Sequence, residues 1–140
     1  MFKKILLATD GSTHADRAAL KAVELVKDLE QATVTLFHVR SKVDRNSLIQ
    51  SNFNVTSLLR EEAHKAIIKT ELLFKREGVP FELAVEIGDP AEEIVSKAER
   101  EGYDLIIVGC RGLNKLKELV IGSVSNKVAH DAKCPVMIIK

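Results

Sequence analysis

The sequence predicts an α/β fold, a single-domain doubly wound three-layer α/β/α sandwich around a five-stranded parallel sheet. Three observations carry this. Hydrophobic periodicity alternates along the chain in the order β-α-β-α-β-α-β-α-β. The strand segments are continuous apolar runs rather than alternating ones, so both of their faces are covered, which points to a parallel sheet. Each pair of strands is separated by a helical segment, and such crossovers are right-handed.

The first strand is the run "KKILLATD", ended by Asp10-Gly11. Ala15, Ala18, Ala19, Ala22, Val23, Val26 and Leu29 then recur at steps of three and four, an amphipathic helix that Ser12 or Thr13 can cap. Ala32–Val39, "ATVTLFHV", is rich in β-branched residues and reads as the second strand. A polar stretch follows from Arg40 to about Ser57, longer than an unstructured loop usually is, which marks it as mobile or functional. The second helix runs to about Arg76, with Val55, Leu59, Ala63, Ala66, Ile67 and Phe74 on one face.

Gly78 ends that helix and "PFELAVEI" makes the third strand. "GDPAEEI" opens the third helix, with Asp89 as N-cap, Pro90 at the first position, and Glu92 and Glu93 in the positive end of the helix dipole. Its inward face is Ala91, Ile94, Val95 and Ala98. "DLIIVG" is the fourth strand. Ser123 to Ala132 forms the fourth helix, with Val124, Val128 and Ala132 inward, and "CPVMIIK" closes the chain as the fifth strand.

Composition narrows the function classes. The 140 residues form one domain, 1–140, long enough for a sizeable core. A net charge of +1 leaves no electrostatic footprint for nucleic acid or an anionic membrane. No apolar run approaches the roughly 20 residues of a membrane span, and "ILLA" is too short for a signal peptide, so a cytoplasmic location is expected. Cys110 and Cys134 lack CxxC or Cys/His ligand spacing and read as reduced structural thiols, with no metal site expected. His14, His38, His64 and His130 lie on separate elements and read as surface or packed imidazoles.

In a doubly wound sheet, ligands bind outside the carboxyl ends of the strands where strand order reverses. Two segments compete for that edge, "ATDGS" after the first strand and "VGCRG" after the fourth. The segment Val108–Ser125 holds three of the chain's seven glycines. Gly109 and Gly112 serve either as plain turn residues or as places where backbone N–H groups approach an anion without a Cβ in the way. Three details point to the anion. Arg111 stands between the glycines and offers a planar fork to phosphate oxygens. Gly122-Ser123 opens a helix, whose first N–H groups attract anions. No acidic residue lies between Gly109 and Lys117. Walker P-loop, GxGxxG and GxSxG patterns are all lacking.

With these residues in view, the chain resembles the universal stress protein family in its ATP-binding branch. That branch is marked by G-x2-G-x9-G-[ST], which reads here Gly109-x2-Gly112-x9-Gly122-Ser123. "ILLATDGS", "LFHV", "GDPAEEI", "DLIIVGCRG" and "CPVMIIK" also match, so that the resemblance covers the chain apart from the polar stretch after Val39. It implies a strand order of 3-2-1-4-5. It implies that Ala8, Thr9, Asp10 and Val39 surround an adenosine, and that Gly109, Arg111, Gly112, Gly122, Ser123 and Val124 hold a triphosphate. Asp10 would repel a triphosphate unless it faces ribose hydroxyls or reaches the phosphates through Mg²⁺. Helix capping or a turn with Gly11 is its other reading.

The function implied is a stress-response or signalling module that holds ATP, AMP or cyclic AMP and is not an enzyme. It would act as a homodimer through the final strand, Val136 to Ile139, an uncovered apolar edge in that strand order. The alternatives are a slow ATPase or phosphotransferase, or a nucleotide-independent stress-response interaction protein. A response-regulator receiver would need an acidic pair after the first strand, where only Asp10 stands.

Overall fold

In the computed structural model, which describes residues 2–40, 55–110 and 122–140, the expected order of elements is present. It runs β1 (Lys4–Ala8), α1 (Thr13–Lys27), β2 (Thr33–Arg40), α2 (Val55–Arg76), β3 (Phe81–Ile87), α3 (Pro90–Glu101), β4 (Leu105–Gly109), α4 (Ser123–Asp131) and β5 (Val136–Ile139). The five strands form one sheet in the order β3-β2-β1-β4-β5, and every pairing is parallel. β1 lies at the centre, and β3 and β5 are the two edges. Strand order reverses at β1, so the β1–β4 boundary is the topological switch point.

Alternation along the strands divides the core into two layers. Ile5, Leu7, Val34, Leu36, Leu105 and Ile107 face the first cluster, which holds the buried faces of α1 and α2. Leu6, Phe37, Ile106 and Val108 face the second, with Ala91, Ile94, Ala98 and Val128 from α3 and α4. Ile5, Leu6 and Leu7 are all 0% exposed, which is why β1 reads as an unbroken apolar run. Burying each such side chain contributes roughly 1.5–3 kcal/mol.

The helix starts follow the sequence closely. Ser12 is the N-cap of α1, and its Oγ accepts the Ala15 N–H at 3.3 Å. Asp89 caps α3 and accepts the Glu92 N–H at 3.0 Å, with Pro90 in the first turn. The inward faces of α1 and α3 are as the periodicity predicts.

α2 departs from expectation. Ile67 has φ −116° and ψ 19°, a kink inside the helix, and the buried set changes across it. Ala63 and Ile67 are buried, then Thr70, Glu71 and Phe74, whereas Ala66 is exposed rather than inward. A kink breaks the 3.6-residue phase on which an inward-face assignment rests. Ala66 contributes its backbone instead. A Cβ built on Gly11 would fall 2.1 Å from the Ala66 carbonyl oxygen, so the β1–α1 turn lies directly on the kinked turn of α2. Glu71 is buried, and His64 Nδ1 donates to its Oε1 at 2.6 Å across the kink. Arg40, read as the start of the polar stretch, ends β2, and Val55 already opens α2. The rest of that stretch, 41–54, lies outside the described residues.

Candidate functional site

At the carboxyl end of the sheet the structure encloses a cavity of about 310 Å³. That is the lower end of the range for small-molecule sites. It sits at the switch point, between the ends of β1 and β4. Its walls bring together Ala8, Thr9, Asp10, Val39, Gly109, Gly122, Ser123 and Val124, all of which the sequence singles out. Arg111 and Gly112, the other two such residues, lie outside the described residues.

Each wall follows from a local cause. β1 ends at Ala8, and Thr9 and Asp10 carry the chain past the ladder into the turn that Ser12 caps. Asp10 Oδ1 accepts the Ser12 N–H at 2.9 Å, which orients the carboxylate. Burial pushes the Asp10 carboxyl up, but bonds from the Ser12 side chain and backbone, together with the charge of His14, outweigh it. The net result is a carboxyl below its ordinary range, held ionised at the cavity mouth. An ionised acceptor there suits hydroxyl donors or a cation and disfavours direct contact with phosphate.

The start of α4 lines the same cavity as Asp10. Its N-cap is Gly122, and among the described residues no side chain caps the helix there, in contrast to Ser12 on α1 and Asp89 on α3. The first N–H groups of a helix need acceptors, and with the helix dipole they favour an anion. Gly122, Ser123 and Val124 all line the cavity, so this positive end borders the space. Ser125, in the same turn, donates its hydroxyl to the Gly109 carbonyl at 2.7 Å and ties α4 to the end of β4.

Gly109 has a reason for lacking a side chain that needs no ligand. A Cβ there would meet the His14 carbonyl oxygen at 2.4 Å and its carbon at 2.7 Å. Phe37, Val39, Pro90, Ile94, Val108 and Val124 give the cavity an apolar part of its lining. The lining thus combines apolar side chains, Val39 among them, with polar groups at Asp10 and the start of α4.

Sequence reasoning missed some of these walls. In the sequence Phe37 reads as part of a strand, and Pro90 and Ile94 as helix start and core. Only packing shows that they also face the cavity. His14, which reads as a surface or packed imidazole, also lines the cavity. Ser125 has no sequence signal of its own, since its role depends on a residue 16 positions away.

A model of the universal stress protein family matches residues 1–140. Universal stress protein YxiE of Bacillus subtilis is 35% identical over the full length of both chains. Universal stress protein MJ0577 of Methanocaldococcus jannaschii is 36% identical over 100% of this chain and 96% of its own. Its solved structure superposes with a TM-score of 0.78. A universal stress protein family member from Arabidopsis thaliana, solved with AMP bound, is 25% identical, with a TM-score of 0.71 over 99% of this chain and 91% of that one.

Proposed function

The chain belongs to the universal stress protein family, and we propose that it is an ATP-binding regulatory module acting as a homodimer in the cytoplasm. The observation that carries this reading is the start of α4 at Gly122, which has no capping side chain among the described residues and borders the same cavity as the apolar slot at Val39. An adenine ring suits the slot, where it meets apolar side chains and the backbone of Val39. A phosphate tail suits the helix start, with Arg111 and Gly112 as further partners in the glycine motif. Asp10 suits the ribose hydroxyls between them, or a Mg²⁺ ion that neutralises the phosphates. AMP or cyclic AMP would use the same slot with a shorter tail.

The proposed role is to bind and report a nucleotide rather than to turn it over. Ala8, Thr9 and Val39 position the base end, and Gly109, Gly122, Ser123 and Val124 shape the phosphate end. Cys110 and Cys134 are both free thiols, which fits a reducing compartment. The dimer reading rests on β5. It is an edge strand with one neighbour, β4, and its four residues Val136–Ile139 are apolar and only half-buried.

Thermal melts with and without Mg-ATP test the binding. Ligand at 100 times its dissociation constant adds about 2.7 kcal/mol. At this chain length that raises the melting temperature by roughly 10 °C. Mass spectrometry of nucleotide released from the freshly purified, denatured protein identifies the natural ligand. No shift at millimolar ATP, together with no copurified nucleotide, rejects the proposal.

A further inference from the structure

The β1–β2 ladder stops before β2 does. Ala8 pairs with Phe37, and the Thr9 N–H reaches the Phe37 carbonyl at 3.0 Å. Along a parallel strand, successive residues direct their backbone groups to opposite neighbours. The Thr33 N–H bonds Lys3 O, and Phe37 O accepts from Thr9, so the odd-numbered residues of β2 face β1. Arg40 O accepts the Gly88 N–H at 2.9 Å, so the even-numbered ones face β3. The next rung toward β1 would run from the Val39 N–H to Thr9 O. Among the described residues it is not made.

Thr9 O is engaged differently. It lies 3.0 Å from Nδ1 of His38. A carbonyl can only accept, so Nδ1 carries the proton and donates. His38 alternates with Phe37 and Val39, which belong to the α3–α4 side of the sheet. Its side chain therefore leaves from the opposite face and draws the Thr9 carbonyl toward the α1–α2 layer.

We propose that His38 is a positioning residue for the ligand, turning the Thr9 carbonyl aside so that Val39 keeps its N–H and C=O for the bound base. An adjacent donor and acceptor on one backbone residue complement adenine, whose ring nitrogen accepts and whose amino group donates. Guanine presents the reverse pair on that edge, with O6 as acceptor. His38 thus sets base preference without touching the base. This inference rests on the adenine-nucleotide reading above and adds the device that gives it selectivity.

The test compares wild type, His38→Ala and His38→Asn by titration calorimetry with adenosine, ATP and GTP. Asparagine carries an N–H near the position of Nδ1. His38→Ala is expected to weaken adenosine and ATP by the same factor, about tenfold, and to narrow the gap between ATP and GTP. His38→Asn is expected to restore both. Two measurements need no nucleotide. The ¹⁵N spectrum of His38 should show the proton on Nδ1, and the Val39 amide should exchange much faster than that of Phe37. A proton on Nε2 alone, or a Val39 amide as protected as that of Phe37, overturns the proposal. Wild type that binds ATP with His38→Ala unchanged overturns this inference alone. Wild type that binds no adenine nucleotide overturns the functional reading and this inference with it.

Discussion

A Cβ on Gly109 would stand 2.4 Å from the carbonyl oxygen of His14, so the end of β4 and the first turn of α1 touch backbone to backbone. Gly109→Ala should therefore cost stability in the absence of any ligand. Forcing a methyl group into a closed contact costs about 1–3 kcal/mol. At this size that lowers the melting temperature by roughly 4–12 °C. Calorimetric melts of the ligand-free variant check it, and an unchanged midpoint would mean that the contact yields freely.

Arg111→Ala separates the two ends of the proposed ligand. Removing a guanidinium that bonds only phosphate should weaken ATP by tenfold or more while leaving adenosine within about twofold. Equal losses for both ligands would place Arg111 outside the phosphate site.

Asp10 carries a pH dependence whose sign is set by its depressed pKa. Relative to the ordinary value of 3.8, the folded carboxyl holds its proton less tightly. The stability this contributes is fully present above that value and is lost as pH falls through the folded pKa. Asp10→Asn removes the titration, so its stability should fall less steeply than wild type below about pH 4. Urea midpoints measured across that window decide the matter, and parallel curves would contradict the assignment.

Thr70 is buried on α2, and its hydroxyl has no hydrogen-bond partner among the described residues. Replacing a buried hydroxyl that lacks a partner with a methyl group of the same shape relieves a desolvation cost of about 1–3 kcal/mol. Thr70→Val should accordingly raise the melting temperature by several degrees. A lower midpoint would show that the hydroxyl has a partner in solution.

The edge strand β5 gives a test of assembly. Ile138 lies in register with Val108, but Pro135 O and Ile139 O accept from Ile106 and Cys110, so the odd-numbered residues of β5 bond β4 and the Ile138 N–H faces the free edge. A proline there removes a donor and crowds a neighbouring strand. Sedimentation of wild type at micromolar concentration is expected to show a dimer, and Ile138→Pro a folded monomer. A wild-type monomer rejects the arrangement, and a dimer untouched by the proline moves the interface elsewhere.

Much of the site could be read before the fold, because its residues sit where local chemistry is distinctive. Ser12 and Asp89 announce helix starts by their ability to accept N–H groups, and both caps form. Gly122-Ser123 marks the start of α4 without such an acceptor, and among the described residues no side chain caps that helix. The misplaced Ala66 shows where such reading fails. Its position in the helical repeat is sound up to the kink at Ile67, and nothing in the local sequence marks that kink.

By itself the sequence determined the elements, their order and the layers they form, because hydrophobic period and capping act over a few residues at a time. It also determined which residues stand at the ends of β1 and β4. Only the tertiary structure decided what those ends do to one another. Gly109 meets His14 across 95 positions of chain, Gly11 meets Ala66 across 55, and His38 meets Thr9 across 29. Each involves a backbone carbonyl and is set by how closely two elements approach, and that distance depends on the packing of the whole sheet, which no local pattern encodes.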